Sequence, residues 1–313
     1  VALSQAYTSI EANVKFSAWE MKGNKYIRPL SIMLRDAGLL RVALVLQENG
    51  AGNSSLNKAA LVQSIGGQMA VLKTVQGEVG EDLQFTDEGL SSRGREALKY
   101  ETVLGKWEEV AQLANTDAKA AEEKLIGFIA DLRGLIAHAG DTSNLILDPD
   151  LDSYYMMDIT LLAMPQTVDR LSVIGATLGA ELSPGAVLDV AQKTEAAVFS
   201  RMLSEADIGR VMADMDVSFK EDPNFYGVSE TYKPAVEPLL ASYKERNDAF
   251  STMIGSIASG ESILRGDFLS SWYAATHSAY DLWKVGMDEL DRLIQIRIDT
   301  YKQQQMNVLM MSA

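Results

Sequence analysis

The sequence predicts an all-α fold, and three observations predict it. Apolar residues recur at spacings of three and four, as in Leu125, Phe128/Ile129, Leu132 and Leu135/Ile136, and again in Leu282, Trp283, Met287, Leu290 and Leu293/Ile294. That period puts each set on one face of a helix. Strand-like alternation bounded by tight hairpin turns is missing. Strong breakers are sparse, with seven prolines in 313 residues.

Eight helices follow in order, at about 3–48, 54–80, 88–114, 117–142, 149–181, 185–220, 229–259 and 266–308. Gly50 and Gly52 suit the end of the first helix and Gly260 the end of the seventh, because glycine accepts the left-handed backbone there. Thr116-Asp117 opens the fourth, Ser183-Pro184 the sixth and Ser229 the seventh, each offering a side-chain cap or a proline in the first turn. At ~1.5 Å per residue the first and last helices are the longest, roughly 65 Å each. A path that closes without long loops brings the fourth helix down to the level of Trp19, takes the fifth on to the end where the termini lie, and returns in the sixth. It gives an elongated protein of two stacked antiparallel bundles sharing the first and last helices. One module holds about 30–147 plus 229–285, and the other holds about 1–29, 148–222 and 286–313.

Composition excludes several classes. The 28 basic and 43 acidic residues leave a net charge of −15, with no basic tract to meet nucleic-acid phosphates. No cysteine is present, which removes disulfides, thiolate nucleophiles and Cys-based zinc sites. The two histidines, His138 and His277, lack a ligand set for a metal; His138 reads as an exposed or capped helix-end residue. No elbow around a serine and no phosphate loop occurs, so no catalytic residue and no cofactor is expected. The chain begins at Val1 without a leader pattern and turns apolar at Met306–Met311, which reads as a soluble piece cut from a longer protein.

Two segments are distinctive. The first is Phe16-Ser17-Ala18-Trp19-Glu20-Met21-Lys22-Gly23-Asn24-Lys25-Tyr26-Ile27-Arg28-Pro29-Leu30, and the second is Ala139-Gly140-Asp141-Thr142-Ser143-Asn144-Leu145-Ile146-Leu147-Asp148-Pro149-Asp150-Leu151-Asp152-Ser153-Tyr154-Tyr155-Met156-Met157-Asp158, continuing to Pro165. The chain closes on Leu290-Asp291-Arg292-Leu293-Ile294-Gln295-Ile296-Arg297-Ile298. In this order and spacing the chain resembles the periplasmic sensory region of bacterial transmembrane receptors, the methyl-accepting chemotaxis proteins and the sensor histidine kinases of two-component systems with the same input module. Many members follow the first segment with a His-Arg pair, where this chain reads Leu39-Leu40-Arg41. The architecture is similar to that of helical bimodular sensors, which bind small organic acids. The resemblance implies flanking transmembrane helices, a cytoplasmic output domain, a homodimer in the intact receptor and a small-molecule ligand. A helical interaction or dimerisation module that binds a periplasmic protein and no small molecule is the alternative.

The candidate ligand-binding residues are Trp19, Glu20, Tyr26, Arg28, Asn144, Asp152, Tyr154 and Tyr155. Arg28 would supply the positive charge for an acid, since its guanidinium suits a carboxylate. Asp148, Asp150 and Asp152 alternate as at the start of a calcium loop, but Ser153 and Ile159 occupy the places that need Gly and Glu. Asp148 reads better as a helix cap with Pro149 at the first helical position. The two segments form either a pocket or a polar staple that fixes the junction of the bundles.

Overall fold

The computed structural model describes residues 2–51 and 56–312. All regular structure among them is helical. The chain makes eight long passes: α1 (Ala2–Glu48), α2 (Lys58–Val79), α4 (Tyr100–Leu113), α5 (Ala118–Thr142), α6 (Leu151–Met157) continuing into α7 (Met164–Glu181), α8 (Val190–Arg201) continuing into α9 (Gly209–Glu221), α10 (Tyr232–Ala258) and α11 (Arg265–Ser312). A one-turn helix, α3 (Asp87–Ser91), and a short 3-10 turn interrupt the stretch expected as one helix over 88–114. Gly94, with φ of 65°, supports that break.

Local chemistry explains most helix ends. Asp117 caps α5 by accepting the Ala120 N–H, and Gly50 and Gly260 take positive φ beyond α1 and α10. The sixth pass does not start at Ser183-Pro184. It starts at Val190, because Asp189 and Gln192 cap each other's backbone and leave 182–189 as a loop. Ser229 likewise stays in a loop, its N–H held by Asp222, and α10 begins at Tyr232. Gly52 and the start expected at residue 54 lie outside the described residues.

Two passes contain π-helical segments, Asp158–Ala163 and Met202–Ile208. Pro165 lacks the N–H that would close a regular turn just after the first, and the Trp283 indole donates to the Thr160 carbonyl there (2.8 Å). Each segment packs on the regular helix of the other pass. Arg210 grips both Asp158 oxygens (2.9 and 2.7 Å), and Arg170 binds Asp207 (2.6 Å).

α1 and α11 are the longest helices, 47 and 48 residues, and they pack antiparallel. Their pairing keeps one register over much of their length. Glu20 meets Arg297, Asn24 meets Asp291 (2.8 Å), Arg28 meets Asp288 (2.5 Å), and the Arg35 guanidinium lies 4.1 Å over the Tyr280 ring. Extending that register brings both ends of the chain to one pole. There, residues 2–16 and 299–311 contain no buried residue, so the two helices run on as an exposed pair.

The fifth pass does not take the expected path. Asn144 adopts a left-handed backbone (φ 72°), Leu145–Leu147 forms a 3-10 turn, and the chain reverses. α6–α7 then rises beside α1: Ser172 packs on Gly38 and Leu46 on Gly179. The return pass descends past it, with Arg210 on Asp158 and Ser218 on the Asp152 carbonyl. Segment 148–222 therefore lies alongside 30–147, and contacts cross the expected module boundary. α1, α2, α4 and α5 form one up-and-down group, α6–α7 to α11 a second, and α1, α7 and α11 meet at the seam. Phe128 on Trp107 fills the core of the first group, and Trp272, Trp283, Phe250 and Phe268 fill that of the second. Each aromatic side chain removes ~150–250 Å² from water.

Candidate functional site

The seam ends, at the pole nearest the termini, in a buried ionic node. Arg297 is 1% exposed and extends from α11 toward the crossover between the two groups. Its Nε donates to Asp150 (2.7 Å), Nη1 to Glu20 (2.6 Å) and Ser17 (3.4 Å), and Nη2 to Asp148 (2.9 Å) and Ser153 (2.6 Å). Every guanidinium nitrogen is thus engaged. Asp148 also accepts from the Asp150 N–H and the Ser153 hydroxyl, which shapes the turn before α6; it does not cap the helix directly. Asp150 occupies the cap position without a side-chain cap bond.

Three carboxylates around one guanidinium leave excess negative charge in a dry place. The surplus is relieved by a proton. Burial, then hydrogen bonding and repulsion from Asp148, push the Glu20 carboxyl up to about 10, outweighing the Arg297 attraction. That shift keeps Glu20 protonated, and so neutral, at pH 7. Its Oε1 is buried without a hydrogen-bond partner. The next carboxyl, Asp152, is 3% exposed; burial raises it to about 7, partly offset by the Ser153 N–H and reinforced by Asp222, Asp150 and Asp148.

The structure brings some candidate residues together and separates others. Glu20 and the Asp148–Ser153 turn meet at the node. Asn144 reaches the Phe16 carbonyl (3.4 Å). Arg28 forms a two-carboxylate clamp with Asp288 and Asp291, so its charge is already matched. Trp19 donates to the Asp82 carbonyl (3.2 Å) under the Lys22 ammonium, and Tyr26 stacks on Phe85 and donates to Gln76 (2.8 Å). These two face α2 and the turn after it, away from the node. Tyr154 and Tyr155 meet edge to face with Tyr154 38% exposed, and neither enters the core. Arg35 and Arg41 are paired with Asp36 and Glu122.

His138 is fully buried, contrary to the expected exposed helix end. Its Nε2 meets the Leu83 and Gln84 carbonyls and its Nδ1 meets Arg95, while burial lowers its pKa. A helix-end position did not reveal that the 83–85 turn folds back over it.

Arg297 was the residue missed. It lies within the third distinctive segment, and the signal was there: Leu290, Leu293, Ile294, Arg297 and Ile298 share one helix face. A guanidinium on a core stripe demands buried partners. Asp and Glu at matching levels supply them.

The fold and the node together define an all-α antiparallel bundle locked at one pole by a buried arginine–carboxylate cluster. No family model, curated protein or solved structure matches the chain. Among the described residues, no group of His, Cys, Asp and Glu is arranged to hold a metal ion, and no helix is long and apolar enough to cross a membrane.

Proposed function

We propose that this chain is the ligand-sensing input domain of a bacterial transmembrane signalling receptor. On this reading it lies on the periplasmic side, tethered as a homodimer by membrane helices at both ends. It binds a small anionic organic molecule and passes a helix displacement inward. One observation carries the reading: the three segments on which the receptor resemblance rests meet at the Arg297 node, and two of them lie on the helices whose ends leave the bundle together. A ligand that favours one packing of α11 against α1 has a continuous path to both ends, which is what a two-state receptor requires.

The filled node supports a second reading. Its polar groups satisfy one another, as a staple would, and this favours an interaction or dimerisation module without a small-molecule ligand. The test joins the chain through its own ends to the membrane helices and output half of a chemoreceptor or sensor kinase. A panel of organic acids, amino acids and nitrate is then applied. The sensor reading expects a changed output together with a raised melting temperature of the isolated chain. A chimera that assembles, signals at a constant level and meets no stabilising compound in the panel would favour the second reading.

A further inference from the structure

The pole opposite the termini holds a different kind of place. The α7–α8 loop and the α10–α11 loop enclose a cavity of about 470 Å³, within the ~300–1,000 Å³ range of small-molecule sites. Leu182, Leu188, Ile257 and Ile263 make its walls largely apolar. Val187 and Leu264 on the two loops are 91% and 70% exposed, so apolar lips stand open to water.

Two cations line this cavity, Lys193 from α8 and Arg265 from the first turn of α11. Neither pairs with a carboxylate among the described residues. Arg265 Nη2 has only a long contact to the Ala180 carbonyl (3.4 Å), and its Nε is buried with no partner. The Lys193 ammonium lies beside Gly260, whose φ of 86° closes the α10 end of the cavity. In a chain of net charge −15, two unmatched cations in one apolar cavity call for an explanation. The contrast with the cavity between α5 and α7 is direct, because there Arg41 and Arg133 are already bound by Glu122 and Asp169.

We infer that this tip cavity binds a small monocarboxylate with an apolar body. The carboxylate lies between the Lys193 ammonium and the Nη edge of Arg265, which together give it charged N–H donors. The apolar body covers the leucine and isoleucine walls. Glu261 also lines the cavity, and its charge disfavours a second anionic group on the ligand. A dicarboxylate is therefore a poorer fit. Arg265 begins the helix that carries Arg297 and ends in the exposed pair, so binding here pulls directly on the element that the sensor reading needs. Binding itself does not depend on that reading.

Calorimetric titration of the 313-residue chain tests this with hexanoate and benzoate as probes. Hexanol, inorganic phosphate and succinate are the controls. Hexanoate or benzoate should bind, with hexanol, phosphate and succinate each weaker by about tenfold or more. Lys193→Gln and Arg265→Gln should each weaken the carboxylate by about tenfold or more while leaving the melting temperature of the unliganded protein in place. The idea is overturned if neither carboxylate binds, if hexanol binds as well as hexanoate, or if both variants bind like the parent. A chimera that responds to some other compound while these titrations stay flat would remove the tip site and leave the sensor reading standing.

Discussion

The two poles of the molecule treat arginine in opposite ways. At the pole of the termini, Arg297 is buried and each of its nitrogens meets an oxygen from one of two other chain segments. At the tip, Arg265 lines an open cavity with its Nε unmatched. The first is a closed structure that organises the seam. The second has binding capacity left over. The difference shows that charged residues in a sequence motif need not mark a ligand site: mutual satisfaction uses up the chemistry that recognition requires.

The largest effect should come from breaking the node. Arg297→Met leaves Asp148 and Asp150 buried without their cation, and removing one partner of a buried ion cluster costs about 3–5 kcal/mol. Urea unfolding should show that loss. Arg297→Lys should recover only part of it, because an ammonium cannot bridge Glu20, Asp148 and Asp150 with the geometry of a guanidinium. A loss below about 1 kcal/mol would mean that the node is solvated and weak.

The node should also set a pH slope. Folded Glu20 keeps its proton up to about 10, whereas the unfolded side chain releases it near the ordinary 4.5. A folded value raised above the unfolded one gives stability that is full below the lower value and is lost as pH rises toward the higher. Glu20→Gln keeps a neutral group able to donate to Asp148 and removes this dependence. The parent should therefore lose stability relative to the variant between about pH 5 and 9. Unfolding curves whose difference stays flat across that range would show that Glu20 is ionised in the fold.

Gly23 sharpens the picture of the crossover. A Cβ there would fall 2.3 Å from the Ser143 hydroxyl and 2.8 Å from Leu145, so Gly23→Ala must push the turn off α1. Overpacking of this kind costs about 1–3 kcal/mol. Asn144 is a milder probe of the same turn. Its left-handed backbone suits asparagine or glycine, and Asn144→Ala should cost about 1–2 kcal/mol while Asn144→Gly costs less. Thermal unfolding of the two variants separates backbone strain from loss of the Phe16 contact, which both variants remove.

Much of this fold was legible in the sequence because its signals are local. The eight passes, the two long terminal helices and the Asp117, Gly50 and Gly260 ends follow from period and capping chemistry. The direction of α6–α7 was not legible. A left-handed Asn144 and a three-residue 3-10 turn reverse the chain, and nothing in their composition separates that reversal from a continuing loop. The site was half legible. The distinctive segments do gather, but around Arg297, and Trp19 and Tyr26 turn to the other side of α1 because successive helix positions point about 100° apart. The tip was hidden by reading Ser183-Pro184 as a helix start. That choice absorbed into a helix the loop that walls the cavity.

The smallest expected effect completes the comparison. Arg265→Gln should change the stability of the unliganded protein by no more than about 0.5 kcal/mol, the range of a surface substitution with no specific partner. The Arg265 side chain meets no carboxylate among the described residues and makes one 3.4 Å contact to a carbonyl. Arg297→Met and Arg265→Gln thus remove the same charge from two distant levels of one helix, with expected costs that differ by several kcal/mol. Paired denaturant titrations of the two variants read that gap directly. Equal losses would mean that the tip is a structural clasp as well, with Arg265 fixing the start of α11 and the cavity a by-product of its packing.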